Sequence, residues 1–257
     1  MSDKREVTLL WLYDDLLDLY GDRGNMMALQ YIFAQNQINC VLRCQSLGDA
    51  LDFDSCDFVY MGPGKARNLQ AATQHLRQYR SQFMQAVQRG VPMLFCGGAV
   101  MALGQSAQFA ADRPPEEGLG LFAYTTADSG EVFVSDVTAI ERFTGLDLRT
   151  YGFVNRTAAQ QWSAASADRR FCQLLYTSRP LDCDPQADSA AGFRTEGAIC
   201  NNLLATWQLG PLLVKNPGLA RHFAQLIAGR QDLIFDDSLW QQALEATLRE
   251  FSGLQAI

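Results

Sequence analysis

Histidine is scarce in this sequence: 257 residues contain two, His75 and His222, so any imidazole base must be one of them. Long apolar runs are missing as well. Met1 to Arg5 is polar, and the short apolar run that follows is stopped by Asp14 and Asp15, which predicts neither a secretory leader nor a membrane span. Dense clusters of Lys and Arg are absent, and a net charge of -7 repels phosphate backbones, so nucleic acid is excluded as a partner class. Seven cysteines are present without metal-site spacing: Cys40 and Cys44 form no CxxC and have no second pair nearby. The expectation is a cytoplasmic protein with free thiols, no metal and no cofactor. Internal repeats and low-complexity tracts are also lacking.

What the sequence does have is a 48% hydrophobic composition, enough for 257 residues to bury the core of one α/β domain. Residues Gly90 to Gly104 (GVPMLFCGGAVMALG) organise it. An apolar run ends in Cys-Gly-Gly and is followed by small and apolar residues, the pattern of a strand turning sharply into a helix. Such turns present nucleophiles, because small flanking residues permit the strained backbone and the helix N-terminus favours a thiolate or an oxyanion. The alternative is a buried cysteine closing a core strand. This stretch alone leaves both open.

Val7 to Tyr13 (VTLLWLY) reads as a strand covered on both faces, and Asn25 as a cap for a helix over Met26 to Gln35. Further strands are predicted over Asn39 to Cys44 and Phe58 to Met61. The second runs into Gly62-Pro63-Gly64, a turn placed where open α/β sheets bind ligands. Gly64 has a backbone N–H to offer an oxyanion; Pro63 has none. A crossover helix is expected over Asn68 to Gln88. Alternating strands and helices up to Gly104 predict a doubly wound, mostly parallel sheet flanked by helices. After Pro114 and Pro115 the pattern turns antiparallel, beginning at Gly118 to Leu121, with strands over Glu131 to Ala139 and Leu148 to Val154. A polar loop over Asp182 to Ser189, a strand over Ala198 to Trp207 and helices over Leu219 to Gly229 and Ser238 to Phe251 complete the chain.

Several segments together carry a resemblance: Asp18 to Asn25 (DLYGDRGN), Cys56 to Gly64 (CDFVYMGPG), Gly90 to Pro92 with Leu103-Gly104, Glu117 to Leu121 (EGLGL), Gly152 to Asn155 (GFVN) and Thr206 to Pro217 (TWQLGPLLVKNP). In this order they resemble the class I glutamine amidotransferases of the cobyric acid synthase-like group. The chain is most similar to the glutaminase subunit of lipid II isoglutaminyl synthase, which serves peptidoglycan biosynthesis in the cell wall. The resemblance implies a single flavodoxin-like domain spanning 1–257. It also implies a Mur-ligase-like, ATP-dependent partner subunit, and glutamine or an analogue as the small-molecule ligand. In that family a cysteine at the turn attacks the glutamine amide and a late histidine activates it, while backbone donors hold the oxyanion; here those donors would come from Gly62, Gly64 and Gly98.

The residues depart from the family pattern where the chemistry should be. The family places its cysteine one residue further from the Gly-x-Pro than Cys96 stands from Pro92, so the ungapped match puts Gly97 at the nucleophile position. The family histidine falls on Leu209. Another is replaced by Arg156, after Asn155, and the substrate-binding arginine expected near 128–134 has no counterpart. Since side chains alternate along a strand, a one-residue shift turns the Cys96 thiol away from the pocket. Two functions follow as expectations. One is a pseudo-glutaminase, an amidotransferase-like pseudoenzyme that binds or regulates. The other is a working amidotransferase that uses Cys96 and supplies ammonia to a ligase.

Overall fold

A computed structural model describes residues 6–163, 170–178 and 194–252; the loop expected over Asp182 to Ser189 lies outside the described residues. Strand β1 (Glu6–Leu12) leads through helix α1 (Gly24–Gln35) to β2 (Asn39–Gln45), and β3 (Phe58–Met61) follows. Helices α2 (Ala66–Gln78) and α3 (Arg80–Gln88) return the chain to β4 (Met93–Cys96), which runs directly into a 3-10 helix, Gly97–Leu103. Short β5 (Ser106–Gln108) and β6 (Glu116–Glu117) precede the long ribbon of β7 (Tyr124–Glu141) and β8 (Arg149–Trp162). The chain continues through β9 (Arg170–Thr177), β10 (Thr195–Cys200), β11 (Leu203–Thr206) and β12 (Gln208–Leu209). It ends in helices α4 (Leu212–Lys215), α5 (Pro217–Ala228) and α6 (Ser238–Phe251).

These strands form one sheet in the order β12-β8-β7-β9-β10-β11-β4-β3-β1-β2, with β5 and β6 attached beside β7. The half from β2 to β11 is parallel, and the antiparallel additions lie beyond it, the division expected from the sequence. Strands β3 and β4 are buried at every position, as strands covered on both faces must be. Helix α1 packs with α4 and α5, while α2 packs on the 3-10 helix. Among the described residues no helix is long and apolar enough to cross a membrane.

Four local expectations are corrected. The crossover is two helices, because Tyr79 leaves helical geometry (φ -104, ψ 16) and sends its hydroxyl to the Asp49 carbonyl at 3.3 Å. Asn25 does not cap α1; it lies inside the first turn and its amide turns into the core. Ala198 to Trp207 is a hairpin rather than one strand: Asn201 adopts φ +51, a left-handed conformation that asparagine tolerates, and β10 folds back on β11. Gly118 to Leu121 is no strand, since its amides bond to the carbonyls of Ala102 to Gln105; only Glu116–Glu117 pairs, with β5.

Candidate functional site

The site is built by strand register. Parallel pairing sets Met61 beside Phe95, Phe95 beside Ala205 and Cys96 beside Thr206, so β3, β4 and β11 end together. Their continuations, Pro63, Gly97 and Trp207 to Leu209, therefore converge at the carboxyl edge of the sheet, where doubly wound folds place ligands.

Gly97 forms the tip of the turn at φ +58, a conformation that L side chains rarely adopt. A Cβ there would lie 2.5 Å from Leu209 Cδ2 and 3.0 Å from Pro63 Cβ. Positions 97 and 209, separated by most of the second half of the chain, thus face each other across a gap already filled by the leucine, which is fully buried. Cys96 is the last residue of β4 and has no exposed surface. Burial first, and then the nearby acidic groups Asp22 and Glu196, push its thiol well above the ordinary cysteine range.

A cleft of about 200 Å³ opens beside the elbow. Gly64 and Gly98 line it, together with Pro63, whereas Gly62 sits behind, against the Leu17 carbonyl, Asp22 and Tyr60. The far wall is Asn155, Arg156 and Trp207, with Asp128 and Val132 from β7 in the stretch where the resembling family carries its arginine. The Arg156 guanidinium lies 4.9 Å from the Trp207 ring centre and 5.8 Å from that of Phe133, and its Nη1 donates to the Ala158 carbonyl at 2.7 Å. The wall therefore carries a fixed cation stacked on an aromatic face, an arrangement that holds anionic or amphoteric groups but does not transfer protons.

Neither histidine reaches this cleft. His75 is half-buried, its Nδ1 3.0 Å from the Tyr13 hydroxyl and its ring edge-on to Tyr13 and Tyr79. His222 packs against Phe143, and burial lowers its pKa. Each is a partly buried partner of aromatic rings.

Sequence reasoning missed Glu196. This fully buried carboxyl accepts from the Trp207 N–H at 2.6 Å, Thr206 Oγ1 at 2.7 Å and Gln208 Nε2 at 3.1 Å, so it fixes the segment that carries Trp207 and Leu209. Desolvation raises its pKa, against the lowering effect of those donors and of Arg156. The available signal was an acid two residues before the predicted strand began, just ahead of the apolar Ala198-Ile199-Cys200.

No family model matches the chain. Two curated relatives do: the GatD subunit of the glutamine-hydrolysing lipid II isoglutaminyl synthase of Staphylococcus aureus strain N315 is 24% identical over 231 residues, covering 90% of this chain and 88% of the relative. Its namesake from Streptococcus pneumoniae strain R6 is 26% identical over 218 residues, covering 84% and 78%. Among solved structures, PurLQS from Thermotoga maritima overlays with a TM-score of 0.51 at 12% identity, over 94% of this chain and 99% of that one, a likeness of fold alone. The chain is a homologue of the GatD subunits, on a glutamine amidotransferase fold.

Proposed function

We propose that residues 1–257 form one amidotransferase-like domain that has kept the frame of a glutaminase subunit and lost the hydrolysis. It would work in the cytoplasm as a binding or regulatory subunit of a Mur-ligase-like, ATP-using partner in lipid II amidation. The observation that carries this reading is the contact between positions 97 and 209. The turn that would present a nucleophile has no side chain at its tip, and the place of the proton acceptor holds an aliphatic group with no lone pair. Amide hydrolysis by covalent catalysis needs both an exposed nucleophile and a base within hydrogen-bond reach. The Cys96 sulfur is sealed in the sheet with its thiol form favoured.

The cleft supports retention of binding. Gly64 and Gly98 remain at its floor and Arg156 with Asp128 on its walls, so a small amphoteric ligand of the glutamine type has complementary charges to meet. The test is reaction with diazo-oxo-norleucine, followed by intact-mass analysis and a glutaminase assay. The expected result is no adduct at Cys96 and no ammonia above the blank. A Cys96 adduct that glutamine protects against would overturn the reading and restore the ammonia-supplying alternative.

A further inference from the structure

The elbow leaves unexplained the segment Asp18 to Asn25, which the sequence marks out with alternating Gly, Asp and Asn. Its centre, Asp22, has no exposed surface. Asn25 Nδ2 donates to Asp22 Oδ1 at 3.2 Å and lies 3.0 Å from the Tyr60 hydroxyl, which itself donates to Asp22 Oδ2. Asn25 Oδ1 in turn accepts the Leu213 N–H of α4 at 2.8 Å. One carboxyl thus ties a loop, β3, α1 and α4 together.

Among the described residues no cation is paired with it. Of the titratable groups acting with Asp22, Asp18 on its own loop is acidic, Tyr60 comes from β3 and Cys96 from β4; α1 and α4 bring only an amide side chain and a backbone N–H. The adjacent Arg23 is placed over the Trp11 ring, 5.6 Å from its centre. Burial, and then Asp18, push the Asp22 pKa up to about 8.

The loop is also stitched to the turn that lines the cleft. The Leu19 N–H donates to the Pro63 carbonyl at 3.3 Å and the Arg23 N–H to Asp18 Oδ1 at 3.0 Å. Leu17 presses on Gly64 so closely that a Cβ there would lie 2.2 Å from its Cδ2. Out of this anchored loop Leu19 and Tyr20 extend to line the cleft. Tyr20 is 45% exposed, adopts φ +63 and meets Phe153 edge-on at 5.6 Å. A tyrosine holds that conformation only where its surroundings impose it, and such residues concentrate at ligand clamps.

We propose that Asp22, as the neutral acid, is a clasp that holds Leu19 and Tyr20 over the mouth of the cleft, so that the recognition surface is complete only while Asp22 keeps its proton. The inference rests on the cleft being the binding site and is independent of whether the elbow is silent. The sign follows from linkage. A carboxyl whose folded pKa lies above its unfolded value contributes stability that is full below the unfolded pKa and is lost as pH rises through the folded one. The clasp is therefore tightest in acid, loosens progressively as pH rises from the ordinary aspartate range, and has lost the whole of this contribution above about pH 8.

Amide hydrogen exchange of the full chain from about pH 6.5 to about pH 9.5, corrected for the intrinsic chemical rate, tests it. Protection of the Leu19, Arg23 and Leu213 amides should fall by up to about tenfold per pH unit as pH rises to the Asp22 pKa of about 8, and should level off above it. The Val59 amide in the sheet should hold. Asp22→Asn keeps the shape without the titration and should flatten the profile. Should that variant fail to fold, Tyr60→Phe decides, because loss of a donor to the charged carboxylate moves the midpoint to higher pH. A flat profile in the wild type, the same slope in Asp22→Asn, or an unmoved midpoint in Tyr60→Phe would overturn the clasp. The electrophile test reads the elbow alone, so the two failures are distinguishable.

Discussion

Gly97→Ala puts one methyl group where the geometry leaves no room, and its cost can be worked out by parts. The backbone at φ +58 penalises any L side chain by about 1–2 kcal/mol. The new Cβ would stand 2.5 Å from Leu209 Cδ2, and overpacking of a buried contact costs about 1–3 kcal/mol more. The single change should therefore destabilise by roughly 2–5 kcal/mol. Leu209→Ala alone should cost about 2–5 kcal/mol, as a fully buried leucine leaves a cavity. In the Leu209→Ala background the clash disappears and Gly97→Ala should cost only the backbone part, about 1–2 kcal/mol. Urea unfolding of the four proteins closes the cycle, with an expected coupling of about 1–3 kcal/mol. Equal costs of Gly97→Ala in both backgrounds would mean that position 97 does not face position 209, and the account of the elbow would fall.

Other expectations can be checked with the same material. Iodoacetamide near pH 8 followed by peptide mapping should modify exposed Cys44 before Cys96, which should react only after unfolding. Glu196→Ala should cost about 3–5 kcal/mol by stranding three donors, and Glu196→Gln clearly less. Because the Glu196 pKa is raised on folding, its share of stability is full below its unfolded value and is lost as pH rises through the folded one; urea titrations of Glu196→Gln against pH should lack that slope. Asn25→Ala should cost about 1–3 kcal/mol in the same assay, because it strands the buried Leu213 N–H.

Strands β3 and β4 at the centre of the parallel half were legible because they are continuous apolar runs bounded by glycine and proline, and a fully buried strand has no other way to be written. Phe58–Met61 falls where VYM meets Gly-Pro-Gly, and Cys96 closes β4 as the shifted register requires. Less legible were features set by side chains that reach across the fold. Asn25 sits in the sequence of a cap, yet its amide is drawn inward by Asp22 and Tyr60, residues that no local pattern connects with it. The Asn201 turn was visible as an Asn-Asn pair but was outweighed by the apolar residues on either side. Glu196 depends on three donors at the far end of the hairpin, Thr206 to Gln208, so its meaning emerges only when β10 and β11 pair.

The contact between Gly97 and Leu209 also makes the two positions interdependent. With leucine at 209, only glycine fits the tip of the turn; with any side chain at 97, that leucine is strained. A side chain added at 97 alone is therefore penalised, whereas the pair changed together avoids the clash. Leucine also contributes about 1.5–3 kcal/mol of burial that a polar imidazole would not match without a hydrogen-bond partner. The present pair is thus the locally more stable arrangement, and stability of this kind is commonly gained where strained active-site geometry has been given up.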